Sequence, residues 1–255
     1  MVALEVDGGA IGRNVPATLG VAGDVRTVLR QLNERLGTAE PRPPSAWALR
    51  VTSLSERLAR VVRNSVGAVI SQTMRRLLPR DAIIVGDAQH WGGWMIFHFP
   101  TYSARQMLYP LHFGTLGYAV PGAVGAQAAF PERRVVGVCG DGGFMFCSQE
   151  LATAVQHGLN VIIVMENNSC FRTIRYLQTR KYGEQRVIAA DLQNPDFVKY
   201  ADSLGCFARR IEAAEEFEPA FAEALDAGRP ALLEIACAIE PSPGDYGLAG
   251  AENPV

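Results

Sequence analysis

The sequence has no run of about eighteen consecutive apolar residues, the least that a helix needs to cross a bilayer, so a helical membrane span is excluded. It also lacks a surplus of one charge: 24 Lys and Arg are set against 26 Asp and Glu, well mixed along the chain, for a net charge of -2. Without a field of one sign, neither nucleic acid nor an anionic membrane is an expected partner. Cysteine is sparse and odd in number. Cys139, Cys147, Cys170, Cys206 and Cys237 mostly sit beside apolar residues, which suits reduced, buried thiols better than a disulfide frame. The opening MVALEVDGGAIGRN has no basic stretch followed by an apolar run, so no leader peptide is expected and a cytoplasmic location is. No G-x-G-x-x-G opens a helix after a predicted strand, which argues against a nicotinamide or flavin oxidoreductase. His98, His112 and His157 show no metal-ligand spacing, and His157-Gly158 reads as a helix end.

What is present is length and pattern. With 255 residues, 48% of them hydrophobic, the chain can bury one large core plus a smaller appendage. Residues 1–37 read as a strand (Val2 to Val6), a Gly-rich turn and a helix whose Val25, Val28, Leu29, Leu32 and Leu36 share one face. Pro41, Pro43 and Pro44 favour an extended path at about 38–48, the start of a linker taken to run over residues 38–64. From 65 to 255, strands alternate with helices. Ala82 to Val85, Val135 to Cys139, Val161 to Met165 and Ala231 to Ile235 are short, β-branched-rich runs expected of strands buried on both faces. Helical stretches fall at Val66 to Leu78, Pro121 to Phe130, Gln149 to His157, Pro195 to Leu204 and Ala213 to Ala227. Asn194 before Pro195 reads as a helix start, and Gly228 after Ala227 as a stop. The expected fold class is therefore α/β, a parallel sheet of about five or six strands with helices on both faces. Ligands of such a sheet sit beyond the carboxyl ends of its strands.

The chemistry-bearing stretch is VVGVCGDGGFMFCSQELATAVQHGLNVIIVMENNSCF. One strand ends at Cys139 and runs into Gly140-Asp141-Gly142-Gly143, where glycine permits positive φ and close approach of a ligand. A helix is expected from near Ser148. The next strand ends in Glu166-Asn167-Asn168-Ser169-Cys170. Two neighbouring parallel strands would bring the Asp141 carboxylate and the Asn168 amide to one rim, an arrangement that suits magnesium, which takes hard oxygen ligands and keeps places for phosphate oxygens and water.

GDG followed at this spacing by NN resembles the signature of thiamine-diphosphate-dependent enzymes, and the likeness implies thiamine diphosphate and magnesium as cofactors. The resemblance implies that Asp141 and Asn168 ligate magnesium through side chains and Cys170 through its main-chain oxygen, and that the backbone near Gly140, Gly142, Gly143, Asn168 and Phe171 meets the cofactor. Upstream, HFGTLGYAVPGAVGAQAAFP is similar to a further family segment. It implies cofactor contacts at Gly114, Thr115 and Leu116, with Leu116 as the bulky prop for the cofactor's bent conformation. Asp87-Ala88-Gln89-His90-Trp91 takes the place of the family's earlier strand-end loop, which implies roles for Asp87, Gln89 and His90 near the diphosphate. DLQNPDFVKYADSLG and GRPALLEIAC resemble the end of the diphosphate-binding domain in the acetolactate-synthase-like branch. Residues 1–37 resemble the last strand and helix of the family's middle domain. Two departures are Arg172 and Ala88, each where a glycine is usual.

The resemblance implies a decarboxylase or carboligase of 2-oxo acids, with a 2-oxo acid as small-molecule substrate. The family's catalytic glutamate lies on a pyrimidine-binding domain, and no glutamate of this chain takes that role. A pyrimidine-binding domain or subunit from elsewhere, and hence a homo- or hetero-oligomer, is expected. The competing class is a catalytically inactive cofactor-binding or oligomerisation fragment. Cys170 as a nucleophile finds no basic partner nearby in sequence. Trp91, Trp94, Phe97 and Phe99 read either as a substrate-side wall or as a packed loop.

Overall fold

The structure is a computed structural model that describes residues 1–37, 43–61, 65–110 and 113–238. Two compact units divide the chain, a smaller one up to Ser53 and a larger one from Leu54. Among the described residues no helix is long and apolar enough to cross a membrane, and all five cysteines are free thiols.

In the smaller unit β1 (Val2–Glu5) pairs in parallel with β2 (Leu19–Ala22), Val2 opposite Leu19 and Glu5 opposite Ala22. Helix α1 (Val25–Leu36) starts where the Asp24 carboxylate accepts the Thr27 N–H at 2.8 Å. It ends at Gly37, whose φ of 54° is open to a residue without Cβ. The apolar stripe of α1 is present as the heptad-like spacing demands, yet Val25, Leu29, Leu32 and Leu36 are exposed. Helix α2 (Ala46–Val61) lies within the span read as a linker, where an extended path was expected at its start. Its start is set by Ser45, whose Oγ accepts the Ala48 N–H at 3.1 Å directly after the proline pair, a capping signal stronger than the extended bias of the prolines. Residues 38–42 and 62–64 of that linker lie outside the described residues.

The larger unit carries α3 (Val66–Leu77), β3 (Ile83–Gly86), α4 (His90–His98), β4 (Met107–Leu108), α5 (Ala119–Ala129), β5 (Val135–Gly140), α6 (Asp141–Cys147), α7 (Glu150–Gln156), β6 (Ile162–Asn167), α8 (Arg172–Tyr182), α9 (Phe197–Ser203), β7 (Phe207–Ile211), α10 (Phe217–Asp226) and β8 (Ala231–Ala236). Its sheet has six strands in the order β4-β3-β5-β6-β8-β7, every pair parallel. The two-residue periodicity of buried strands splits the core into two layers. Val136 and Val138 of β5, with Ile162 and Val164 of β6, face α3, α4 and α10 through Met74, Trp91, Trp94, Phe217 and Phe221. Val135, Cys139, Ile163 and Met165 face the other side, where Ala119, Ala123, Phe144, Leu151 and Phe197 cover them. Each fully buried large side chain contributes roughly 1.5–3 kcal/mol. At Gly137 a Cβ would come within 2.7 Å of Ile163 Cδ1 and 3.1 Å of the Ala119 carbonyl oxygen, so the absence of a side chain lets α5 lie directly on β5.

Trp91 and Trp94 are core residues of α4, while Phe97 on the same helix is 40% exposed. The alternation of strands and helices thus gives the α/β sheet expected from the sequence. The 3-10 turn Ala214–Glu216 splits the helix expected from Ala213.

Candidate functional site at the strand tips

The carboxyl ends of β3, β5 and β6 open onto one cavity of about 350 Å³. From the β3 end come Ala88, Gln89 and His90, from the β5 end Gly140 to Gly143, and from the β6 end Glu166, Asn168, Cys170 and Phe171. Gly114 and Leu116 of the GTLG loop line it too, as do Arg172, Thr173 and Ile174 at the start of α8. The register Gly140 opposite Glu166 sets Asp141 and Asn168 on adjacent tips. His112 lies outside the described residues.

Two expected site residues stand apart from the cavity wall. Thr115 is exposed, and Asp87 is buried below the wall with other work. Its Oδ2 accepts the Gly117 N–H at 2.8 Å and its Oδ1 accepts the Ala88 N–H at 2.9 Å, so Asp87 pins the GTLG loop over the end of β3. Gly117 has φ 81° and Gly114 φ 58°, which is where the positive-φ glycines are needed. The GDGG stretch does not use that freedom. Helix α6 begins at Asp141 itself rather than near Ser148, and Gly142 and Gly143 serve by lacking Cβ. A Cβ on Gly142 would meet Phe171 Cε1 at 2.4 Å, and one on Gly143 would meet Asp87 Oδ2 at 2.6 Å.

The loop after β6 is built by its own amides. Asn167 Oδ1 accepts the Ser169 N–H at 3.2 Å and Asn168 Oδ1 accepts the Cys170 N–H at 3.3 Å, two successive side-chain turns. Ser169 between them has φ 54°, an uncommon conformation held by the bridge of Cys170 to Asp191, with Leu192 N–H donating to Ser169 O at 2.8 Å and Phe171 N–H to Ala190 O at 2.7 Å. That bridge also delivers Asn194. Its Nδ2 donates to Asp141 Oδ2 at 2.7 Å and to Asn167 Oδ1 at 2.9 Å. The helix-start role expected of Asn194 belongs instead to Asp196, whose carboxylate accepts the Lys199 N–H at 3.1 Å. Glu166 was legible only as part of the strand end, yet its carboxylate is buried beside the cavity. Its Oε1 accepts from Asn168 Nδ2 at 3.2 Å and lies 3.3 Å from His90 Nδ1.

Burial pushes the Asp141 carboxyl above its ordinary pKa, opposed by the Asn194 hydrogen bond and reinforced by the Glu166 charge. Burial likewise raises Asp87, opposed by the N–H of Gly117. Cys170 is pushed up to about 11, first by burial and then by Asp141, so its thiol is not poised as a nucleophile. Among the described residues no three His, Cys, Asp or Glu side chains form a metal cage. The wall instead offers the carboxylates of Asp141 and Glu166, the amides of Gln89 and Asn168, and glycine backbone, a hard-oxygen set for a cation that shares its ligands with an anion.

Fold and site together define an α/β ligand-binding domain whose pocket is made from the tips of three adjacent parallel strands. Residues 85–235 match the family described as thiamine pyrophosphate enzyme, C-terminal TPP binding domain, and the chain belongs to that family. It is 30% identical over 248 residues to a probable acetolactate synthase large subunit of Methanocaldococcus jannaschii, covering 92% of this chain and 42% of that one. Against the acetolactate synthase large subunit of Corynebacterium glutamicum the identity is 33% over 248 residues, 91% of this chain and 39% of the relative. A putative thiamine pyrophosphate-containing protein, YdaP, of Bacillus subtilis is 30% identical over 262 residues, 97% of this chain and 44% of its own length. The chain thus spans about four-tenths of the curated relatives it matches.

Proposed function

We propose that the strand-tip cavity holds the diphosphate of thiamine diphosphate with a magnesium ion ligated by the side chains of Asp141 and Asn168 and the main-chain oxygen of Cys170. The carrying observation is the β5–β6 register, which sets an acidic and an amide tip side by side on one cavity. The donor set fits the ion. A buried carboxylate whose pKa is raised by burial and by a second carboxylate gains most from a divalent cation, and a metal ligand must be deprotonated. The N–H groups of the first turn of α6 suit the anionic partner of that ion. Asp141 is a ligand here, not an acid or a base.

When bound, the cofactor supplies an electron sink for decarboxylation or carboligation of a 2-oxo acid. The chain's own share is to anchor, to orient and to keep the pocket dry. Leu116 and Ile174 give the cavity apolar wall, and Phe171 closes against Gly142. The reaction requires a pyrimidine-binding domain or subunit, making an oligomer the working form. Support comes from apolar surface beside the cavity: Phe113, Met145, Phe146, Ile174 and Leu177 are 93%, 45%, 57%, 47% and 54% exposed. In the same reading residues 1–37 are part of a middle domain, 38–64 the connection and 65–255 the diphosphate-binding domain. The open edges of the β1–β2 pair and the exposed stripe of α1 support a larger sheet around them.

Calorimetric titration of the purified chain, with any copurifying subunit, tests the proposal. Thiamine diphosphate should bind only with magnesium, and Asp141→Ala should abolish that binding with the fold intact. Equal affinity with and without magnesium, or no binding by a folded and complete sample, overturns it.

A further inference from the structure

The two proposed ligands make opposite demands on their neighbours. An amide serves a cation only through its oxygen, so its nitrogen must be turned away and given an acceptor. A carboxylate that shares one oxygen with a cation leaves the other needing a donor. Both needs are met by side chains that no sequence motif assigned. Asn168 Nδ2 points to Glu166 Oε1 at 3.2 Å, while the backbone N–H of Cys170 independently fixes Oδ1 on the opposite side at 3.3 Å. Asn194 Nδ2 donates to Asp141 Oδ2 at 2.7 Å and, through its second hydrogen, to Asn167 Oδ1 at 2.9 Å. The neutral amide of Asn194 adds a donor without a competing positive charge.

We propose that Glu166 and Asn194 are positioning residues that fix which oxygen Asn168 and Asp141 present to the metal; this rests on the reading of the cavity as a magnesium and diphosphate site. Glu166 is itself held. It is 2% exposed at the end of β6, and its Oε1 lies 3.3 Å from Nδ1 of His90, which follows β3 on the far side of β5. The ligand amide is therefore braced across three strands. Asn194 is braced differently, by the bridge that ties residues 190–192 to the loop after β6. If Asn168 were free to turn about its terminal bond, half of its orientations would offer the cation an N–H₂ group, and a cation of octahedral preference would lose one place in its shell. Partners of this kind are worth about 10- to 100-fold in metal affinity.

The test uses the full chain with any copurifying subunit and reads Mn2+ affinity by electron paramagnetic resonance in the presence of thiamine diphosphate, alongside thermal melting of the metal-free protein. Glu166→Leu removes the acceptor and should weaken Mn2+ binding about 10- to 100-fold. Glu166→Gln keeps an acceptor oxygen and should restore affinity to within about threefold of the unaltered protein. Asn194→Ala, at a half-buried position tolerant of truncation, should cost about tenfold, and Asn194→Asp more, since it sets a second carboxylate against Asp141. Asn194→Ala carries the test if Glu166→Leu does not fold. A merely structural role would lower the melting temperature while leaving the affinity of the folded protein unchanged, and that result overturns the inference. So does unchanged affinity in both Glu166→Leu and Asn194→Ala when Asp141→Ala abolishes binding. Failure of the unaltered protein to bind Mn2+ with the cofactor overturns the parent reading, and the inference with it.

Discussion

Gly143→Ala isolates the contact on which the floor of the cavity depends. An ideal Cβ at Gly143 would stand 2.6 Å from Asp87 Oδ2 and 3.4 Å from its Cγ. Ordinary van der Waals separation is about 3.5 Å, so the carboxylate must retreat by roughly 0.9 Å. It has little room, being 1% exposed and committed at 2.8 Å to the N–H of Gly117 and at 2.9 Å to that of Ala88. Overpacking costs about 1–3 kcal/mol. Loosening a hydrogen bond of a buried charge adds about 1–3 kcal/mol. Against this, alanine in place of glycine inside a helix returns about 1 kcal/mol. The net is a loss of about 3 kcal/mol at the centre of the range, a fall of roughly 6–12 °C in melting temperature for a domain of this size. Gly125 on α5 is the control, because nothing lies within 4 Å of its would-be Cβ. Gly125→Ala should raise stability by about 0.5–1 kcal/mol. Differential scanning calorimetry of both variants decides the matter: equal shifts, or a Gly143→Ala protein as stable as the parent, would refute the steric reasoning.

Other outcomes are open to measurement. Gln127 is 4% exposed, and its Nε2 donates to the carbonyls of Phe130, Pro131 and Arg133 at 3.1, 3.4 and 2.9 Å, fastening the turn from α5 into β5. Gln127→Leu should lower stability by about 1–3 kcal/mol in urea unfolding and leave cofactor affinity unchanged, since the turn is at the opposite end of the sheet from the cavity; an unchanged midpoint would contradict this. Burial raises Cys206 from 9.0 to about 11. The neutral thiol is thus favoured by folding, so its contribution is whole below pH 9 and is lost as pH climbs towards 11. Melting temperatures between pH 8 and 11 should therefore fall less steeply in Cys206→Ala than in the parent, and parallel curves would speak against it. For the site itself, Asp141→Ala should remove magnesium-dependent binding of thiamine diphosphate in the titration described above.

Much of the sheet was legible because strands buried on both faces need continuous apolar residues, and Val135 to Cys139, Val161 to Met165 and Ala231 to Ile235 have them. The missed elements each lack that signal for a physical reason. Helix α4 is apolar nearly all round and contains Gly92 and Gly93, so no amphipathic period marks it. Helix α8 has no buried residue and carries polar side chains on most of its surface. β7 is an edge strand whose Arg209 and Arg210 break the apolar run, and β4 is only two residues long. Helix α6 opens on glycines, which local propensity reads as a turn.

By itself the sequence determined the α/β alternation, the strand ends that carry Asp141 and Asn168, and the spacing that makes them neighbours, since each follows from local polarity and one crossover. Tertiary structure alone decided the supports of that pair. Asn194 reaches Asp141 from 53 residues away and Glu166 meets His90 from 76. Asp87 holds Gly117 rather than facing the cavity. No local pattern encodes such contacts, because a buried polar group takes whichever partner the packed chain brings within about 3 Å, and only the assembled sheet fixes which that is.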